Sequence, residues 1–224
     1  MGGQGEQVAT SGNPAAIIRF ALNNVKKSLI LKKKIILAST SRYRAELLAR
    51  LQLAFETARP DVDETPLPEE TPASTALRLA HLKAHSIATR FPQSLIIGSD
   101  QVADLDGRQI GKPGTRERAR AQLVSMRGRT LVFHTALALL DAASGREQSR
   151  IVPTTVRFRT YSDVEIENYL DRESALDCAG SAKSEGLGAA LIASMTSEDP
   201  TALIGLPLLA LIDMLTAEGV QVLA

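Results

Sequence analysis

LIIGSDQVADLDGRQIGKP, residues 95–113, is the stretch on which the fold turns. Leu95-Ile96-Ile97-Gly98 is an apolar, β-branched run of the kind that packs on a pleated surface, and it predicts a buried strand. The run stops at Ser99-Asp100-Gln101, where the strand is expected to end. Asp104-Leu105-Asp106-Gly107 predicts a turn, with the Asp-Gly pair supplying positive φ. Gly111-Lys112-Pro113 closes the stretch. In an open α/β sheet the ligand lies at the carboxyl ends of the strands. Asp100 therefore occupies the place of a catalytic carboxylate, with Lys112 one short hairpin away. A carboxylate and an ammonium so placed suit phosphate chemistry. The carboxylate holds a metal or takes a proton from water, and the lysine neutralises phosphate.

Working outward, 224 residues are enough for one large α/β domain, and 44% hydrophobic with 23% charged residues is ordinary for a globular chain. Aromatics are 4% with no Trp, which argues against a base-stacking platform for single-stranded nucleic acid. A net charge of +1 gives no field for bulk nucleic-acid binding. The charge is uneven: Arg19, Lys26, Lys27, Lys32, Lys33 and Lys34 precede the body against Glu6 alone, so the body is mildly acidic. Cys178, the single cysteine, cannot form an internal disulfide, which fits a reducing, cytoplasmic setting. It reads as a small packed residue rather than a nucleophile. No apolar run approaches the roughly 20 residues of a membrane span.

Met1 to Pro14 has no hydrophobic period, and Ala15 to Leu31 is a basic amphipathic stretch, so residues 1–33 read as an N-terminal extension and 34–224 as the domain. Lys34-Ile35-Ile36-Leu37-Ala38 predicts the first strand. Ser39-Thr40-Ser41-Arg42-Tyr43-Arg44 then opens a helix through Leu51. Hydroxyls and helix N-terminal amides point at an anion there, with Arg44 able to fork onto phosphate; plain capping by Ser41 explains the same residues. The glycines of a P-loop or dinucleotide fingerprint are missing, which argues against a coenzyme-binding oxidoreductase. Phe55 to Ala58 predicts a short strand. Asp61-Val62-Asp63-Glu64 is a solvated acidic loop or part of a hard-metal site. Ser74 to Arg90 predicts a helix, whose Lys83 is expected to face solvent. Thr115 to Met126 predicts another helix, Thr130–Leu140 with Gln148–Thr160 a long antiparallel hairpin, and Ser162 a helix start. Ala179 to Gly188 is a glycine-punctuated loop carrying Glu185, Ala189 to Ala193 a strand, and Leu208 to Leu215 the last helix. With only His81, His85 and His134 present, a histidine metal cluster is not expected.

Six motifs in register carry a family resemblance: LASTSRYR at Leu37–Arg44, VDET at Val62–Thr65, GSDQV at Gly98–Val102, GKP at Gly111–Pro113, GSAKSEGLG at Gly180–Gly188 and DPTALIGLPL at Asp199–Leu208. The chain resembles the Maf family of nucleotide pyrophosphatases from about Lys34 to Glu218. Gln101 after the aspartate, with Lys183-Ser184-Glu185-Gly186, is similar to the branch acting on 7-methyl-GTP. The dTTP/UTP branch usually has Thr after that aspartate.

The resemblance implies an elongated α/β fold, a mixed sheet with flanking helices around a central cleft, akin to inosine triphosphate pyrophosphatases and often a homodimer. It implies a house-cleaning hydrolase that splits a nucleoside triphosphate between its α and β phosphates with a divalent cation, Mg²⁺ or Mn²⁺. Asp100 takes the proton-acceptor place. Ser39, Ser41, Arg44, Lys83 and Lys112 take phosphate-contacting places. Glu64, with Asp100, takes the acidic place bearing on metal. Tyr43, Gln101 and Glu185 take the positions that tune base choice. 7-Methylguanine is cationic, so Glu185 and Tyr43 favour it by charge pairing and cation–π contact, each worth about 1–2 kcal/mol once desolvated. The expected partner is thus a small nucleotide, with neither nucleic acid nor membrane. Many relatives carry two consecutive arginines after the serines, whereas here Ala45 follows Arg44. The alternatives are a nucleotide-binding regulator of cell division without turnover, which that missing arginine favours, and a dTTP/UTP pyrophosphatase.

Overall fold

The apolar runs at Ile35–Ala38 and Leu95–Ile97 lie side by side at the centre of a sheet in a computed structural model of the protein, which describes residues 33–223. The amphipathic stretch Ala15–Leu31 lies outside the described residues. The strands are β1 (Lys34–Ala38), β2 (Phe55–Ala58), β3 (Ser94–Leu105), β4 (Arg108–Ile110), β5 (Thr130–Asp141), β6 (Arg146–Phe158) and β7 (Ile192–Ser197). The sheet order is β2-β1-β3-β5-β6-β7, with β4 also on β3. β1 is parallel to β2 and β3, while the remaining pairs are antiparallel, so the sheet is mixed.

Five α-helices cover it: α1 (Arg42–Ala49), α2 (Pro72–Ser86), α3 (Arg116–Met126), α4 (Asp163–Arg172) and α5 (Leu208–Ala217). Their starts follow local chemistry. Ser41, Thr71, Thr115 and Ser162 each accept a hydrogen bond from the amide three residues on, and Ser162 with Glu165 forms a reciprocal capping box. Alternation along the strands then assigns the faces. Ile35, Leu37, Leu95 and Ile97 pack with Leu47, Leu48, Leu211 and Leu215 of α1 and α5. Ile36 and Ile96 pack with Ala84 and Ile87 at the end of α2.

A second apolar cluster joins Ala103 and Leu105 to Phe133, Val156 and Phe158 and to Leu123, Met126, Ile166 and Tyr169 of α3 and α4. β3 thus runs through two cores, and Ser99-Asp100-Gln101 is the waist between them. This corrects the expectation that the strand stops at Ser99. β3 continues to Leu105, because the ladder to β5 from Leu95↔Asp141 to Asp104↔Val132 depends on backbone groups and not on side-chain polarity. On its other side β3 pairs with β1 only as far as Ile97, and with β4 from Ala103. The edge between is left to the cleft. Asp106 (φ 53°) and Gly107 (φ 81°) make the two-residue turn of the β3–β4 hairpin, so the turn is tighter than Asp104–Gly107.

Gly98 sets how closely α2 approaches. A Cβ there would run into the Ala80 carbonyl oxygen and sit 3.1 Å from the Ala84 methyl. Only a hydrogen lets the helix lie this low across β3. The other expected elements are present, with one further correction. The run read as a strand from Ala189 is a 3-10 turn over Leu187–Leu191, and β7 starts at Ile192. Small, unbranched Gly-Ala-Ala residues carry little strand preference.

Candidate active site

The waist opens into a cleft of about 1100 Å³. Every residue singled out above as a site residue lines it: Ser39, Ser41, Tyr43, Arg44, Glu64, Lys83, Asp100, Gln101, Lys112 and Glu185. The floor is Asp100, which is buried, and its Oδ1 accepts from Lys83 Nζ at 2.5 Å. The same ammonium lies 2.7 Å from Glu64 Oε1. Lys83 is therefore not the solvent-facing helical lysine its sequence context predicts. It is buried, because α2 sits low on Gly98 and because two carboxylates from separate segments converge on it.

Burial pushes the Glu64 carboxyl up, but the Lys83 hydrogen bond and the charges of Lys83, Lys112 and Arg44 outweigh it and hold Glu64 below its usual range. The Glu64 and Asp100 carboxylates both lie within reach of one cation. Two such oxygens suit a hard divalent ion that completes its shell with phosphate and water, so Glu64 and Asp100 fit a Mg²⁺ or Mn²⁺ ion.

Glu64 rides on a loop, and the loop is tied down. Arg78 of α2 donates to Glu70 Oε1 at 2.7 Å, to Oε2 at 2.9 Å and to the Thr65 carbonyl at 3.1 Å. The Arg78 hydrogen bonds hold the Glu70 carboxyl down at about 2. Asp63 Oδ1 accepts from the Thr65 amide at 2.9 Å. Glu64 stands between these anchors.

The rim is cationic. The Arg44 guanidinium donates through Nε to the Gly205 carbonyl at 2.8 Å. Its burial lowers the arginine's pKa, while Asp100 and Glu64 pull it back; the group remains a cation. Lys112 is exposed and makes no ion pair among the described residues. Ser41 caps α1 through its Oγ, 3.4 Å from the Arg44 amide, and Ser39 Oγ accepts from the Ser41 amide at 3.0 Å. Capping uses each oxygen as an acceptor and leaves its O–H to donate, so the capping and anion-contact readings of these serines hold together. Ala45 packs against the core under α1 and does not line the cleft. Arg42 is exposed, 3.6 Å from Glu46.

Among the base-choice positions, Gln101 is more constrained than its sequence context implied. Its amide nitrogen donates to Thr135 Oγ1, Ala202 O and Leu203 O at 2.9, 3.0 and 2.9 Å, which fixes the amide's orientation and leaves Oε1 for a ligand. The Tyr43 ring already meets two protein cations, Arg42 at 5.2 Å and Lys183 Nζ at 5.6 Å from its centroid. Lys183 is paired with Glu173 at 3.0 Å, and that hydrogen bond raises its pKa. Glu185 is exposed at the rim, with Ser184 Oγ donating to it at 3.3 Å. Burial, then Asp177, pushes the Cys178 thiol up to about 12, so it is no nucleophile.

Sequence reasoning missed three parts. Gly205 turns its carbonyl to both Arg44 Nε and Ser99 Oγ, the latter at 2.9 Å. Buried Asp199 accepts from the Thr201 amide and hydroxyl and from the Leu209 amide, at 2.9, 2.6 and 2.7 Å, fixing that loop. The third lies outside the cleft. His81 and His85 stand one turn apart on α2 and converge on Glu147 of β6, although no histidine cluster was expected. The i, i+4 spacing was a visible signal, but Glu147 comes only from the register of the hairpin.

An acidic floor with room for a hard cation, under a rim of arginine, lysine and helix amides, defines an α/β protein whose cleft suits a polyphosphate. The chain matches the Maf-like protein family over residues 34–218 and belongs to that family. A protein of Aromatoleum aromaticum named 7-methyl-GTP pyrophosphatase is 60% identical over 186 residues, covering 83% of this chain and 96% of the relative. One of the same name from Thiobacillus denitrificans is 60% identical over 189 residues, covering 84% and 94%. A third, from Methylobacillus flagellatus, is 57% identical over 189 residues, covering 84% and 98%. The solved Ham1 protein of Staphylococcus aureus aligns with a TM-score of 0.42 at 16% identity, covering 57% of this chain and 73% of that one, a likeness that carries no argument. Among the described residues no helix is long and apolar enough to cross a membrane.

Proposed function

We propose that this protein hydrolyses 7-methyl-GTP, or a related modified nucleoside triphosphate, to the monophosphate and pyrophosphate, clearing such nucleotides from the cytoplasm. The observation that carries the proposal is the convergence of Asp100 and Glu64 on Lys83 at the floor of a cleft rimmed by Arg44 and Lys112. The shared name of relatives at about 60% identity supports the substrate. The family match beginning at residue 34 supports reading the segment before it as an extension, and the homodimer of the resemblance remains part of the proposal.

Arg44, Lys112 and the Ser39 and Ser41 hydroxyls bind the phosphate chain and orient it. Asp100 accepts a proton from water as the water oxygen bonds to the α phosphorus. The bond from the α phosphorus to the bridging oxygen breaks, and pyrophosphate leaves with that oxygen. Glu64 and Asp100 would hold Mg²⁺ or Mn²⁺, which supplies charge stabilisation on the phosphates when bound. Lys83 keeps the two carboxylates together beforehand. At the base, Gln101 Oε1 and the Glu185 carboxylate offer acceptors, which suits a cationic purine.

The test is pyrophosphate release over a nucleotide panel with Mg²⁺ or Mn²⁺, and with EDTA. Fastest turnover of 7-methyl-GTP is expected. Faster turnover of dTTP and UTP would remove the specificity and keep the chemistry. Tight binding with no product over hours would remove the enzyme.

A further inference from the structure

We propose that His81, His85 and Glu147 form a second metal site, on the outer side of α2, that takes one zinc-class divalent cation. His81 Nδ1 lies 2.8 Å from Glu147 Oε1, and His85 Nε2 lies 3.2 Å from Oε2. One ligand atom from each of the three residues lies within 4.8 Å of the others. A tetrahedral zinc with bonds of about 2.0–2.1 Å holds neighbouring donors roughly 3.3 Å apart, so these side chains, already gathered within 4.8 Å, would close further to surround one ion.

The placement is enforced by secondary structure. Helical spacing puts His81 and His85 on one face, and Lys83 roughly opposite, toward the cleft. On β6, Arg146 and Gln148 turn to the other face of the sheet, where both reach Glu218, so Glu147 between them faces α2. The Glu147 side chain is only 21% exposed, and among the described residues no lysine or arginine pairs with it. Its Oε1 is buried and makes no hydrogen bond, although His81 Nδ1 lies 2.8 Å away. A metal cation held between the imidazoles would match a buried carboxylate oxygen that makes no hydrogen bond. Two nitrogens and one carboxylate oxygen select zinc, cobalt or nickel over magnesium or calcium, with a fourth position open to solvent. The ion would pin α2 to β6, and with it the helix that presents Lys83.

The test is Co²⁺ and Zn²⁺ titration of the full chain after EDTA treatment and dialysis. Wild type is expected to show the intense visible bands of one tetrahedral Co²⁺, displaced by Zn²⁺, apart from any weakly coloured Co²⁺ held at Glu64 and Asp100. Zinc at about 100 times its dissociation constant is expected to raise Tm by about 5–10 °C. Glu147→Gln should weaken binding at least tenfold, and His81→Ala with His85→Ala should abolish the bands. His85 is exposed, so His85→Ala alone serves if the double variant does not fold. The Asp100→Asn variant, in which Lys83 keeps Glu64, should retain the tetrahedral bands and their zinc displacement, which separates this site from the proposed catalytic one. Unchanged affinity in the histidine variants, no saturable binding below millimolar zinc, or loss of the tetrahedral bands in folded Asp100→Asn would each overturn the assignment.

Discussion

Replacing Asp100 with asparagine keeps the shape of the side chain and removes its charge, and two magnitudes follow from where it sits. Lys83 loses a buried ion pair at 2.5 Å but keeps Glu64 at 2.7 Å. Orphaning a buried charge completely costs about 3–5 kcal/mol; with one partner left, about 1–3 kcal/mol is the expected loss. For a chain of this size that lowers Tm by roughly 2–12 °C, so the variant folds at assay temperature. The chemical loss is larger. An amide cannot take the proton from water and is a poor partner for a hard cation, so kcat should fall by about 10²–10⁴. The assay is pyrophosphate release from 7-methyl-GTP at saturating Mg²⁺, with EDTA as blank and Tm measured in parallel. Glu64→Gln is the control: a variant that has lost one of two metal-holding groups is expected to recover part of its rate as Mg²⁺ rises, whereas Asp100→Asn is not. A folded Asp100→Asn protein within tenfold of wild type would refute the reasoning.

Gly98→Ala forces a methyl into the Ala80 carbonyl, so α2 must lift; a loss of about 1–3 kcal/mol is expected by thermal unfolding, with activity falling further than stability because Lys83 moves off Asp100. Lys112→Ala removes an exposed cation, so kcat/KM should drop about 10–100-fold, mostly through KM, with Tm unchanged. Glu70, held at about 2 by Arg78, stabilises the fold above its unfolded value of 4.5, and that stabilisation is lost as pH falls toward 2. Glu70→Gln should therefore flatten the decline of Tm across that window, and it should raise the Mg²⁺ requirement at neutral pH by loosening the loop that carries Glu64.

Most of the frame was legible because it is written in periodicity and caps. The β-branched runs of β1 and β3, the Asp-Gly turn, the long hairpin and the Ser and Thr caps all depend on neighbours in sequence. The misreadings share one cause. The polar triple Ser99-Asp100-Gln101 looks like a strand end, since a site requires polar residues where the hydrophobic pattern would continue, yet the backbone ladder to β5 is indifferent to them. Lys83 looks like a solvated helix residue and the histidines look isolated, since what buries or gathers them arrives from Glu64, Asp100 and Glu147, through tertiary contacts no local pattern encodes. Lys112, by contrast, was placed correctly, because a hairpin of fixed length ties it to Asp100.

The position of the cleft follows from the same arrangement. The apolar clusters at the two ends of β3 share no residue across Gly98–Gln101, on the side where β1 ends and β4 has not begun. A break between cores is where charged groups can be held at moderate desolvation cost, with rigid strands on either side to fix them. α2 packs across the break, with Ala76 and Ala80 beside Val102 and Ala84 beside Ile96. It seats on Gly98 at one face and turns Lys83 into the cleft, while its outer face carries the histidines that converge on the β5–β6 hairpin. Any displacement of this helix shifts the ammonium between Asp100 and Glu64. The position of α2 is therefore a structural variable that the carboxylate pair and the histidine cluster share.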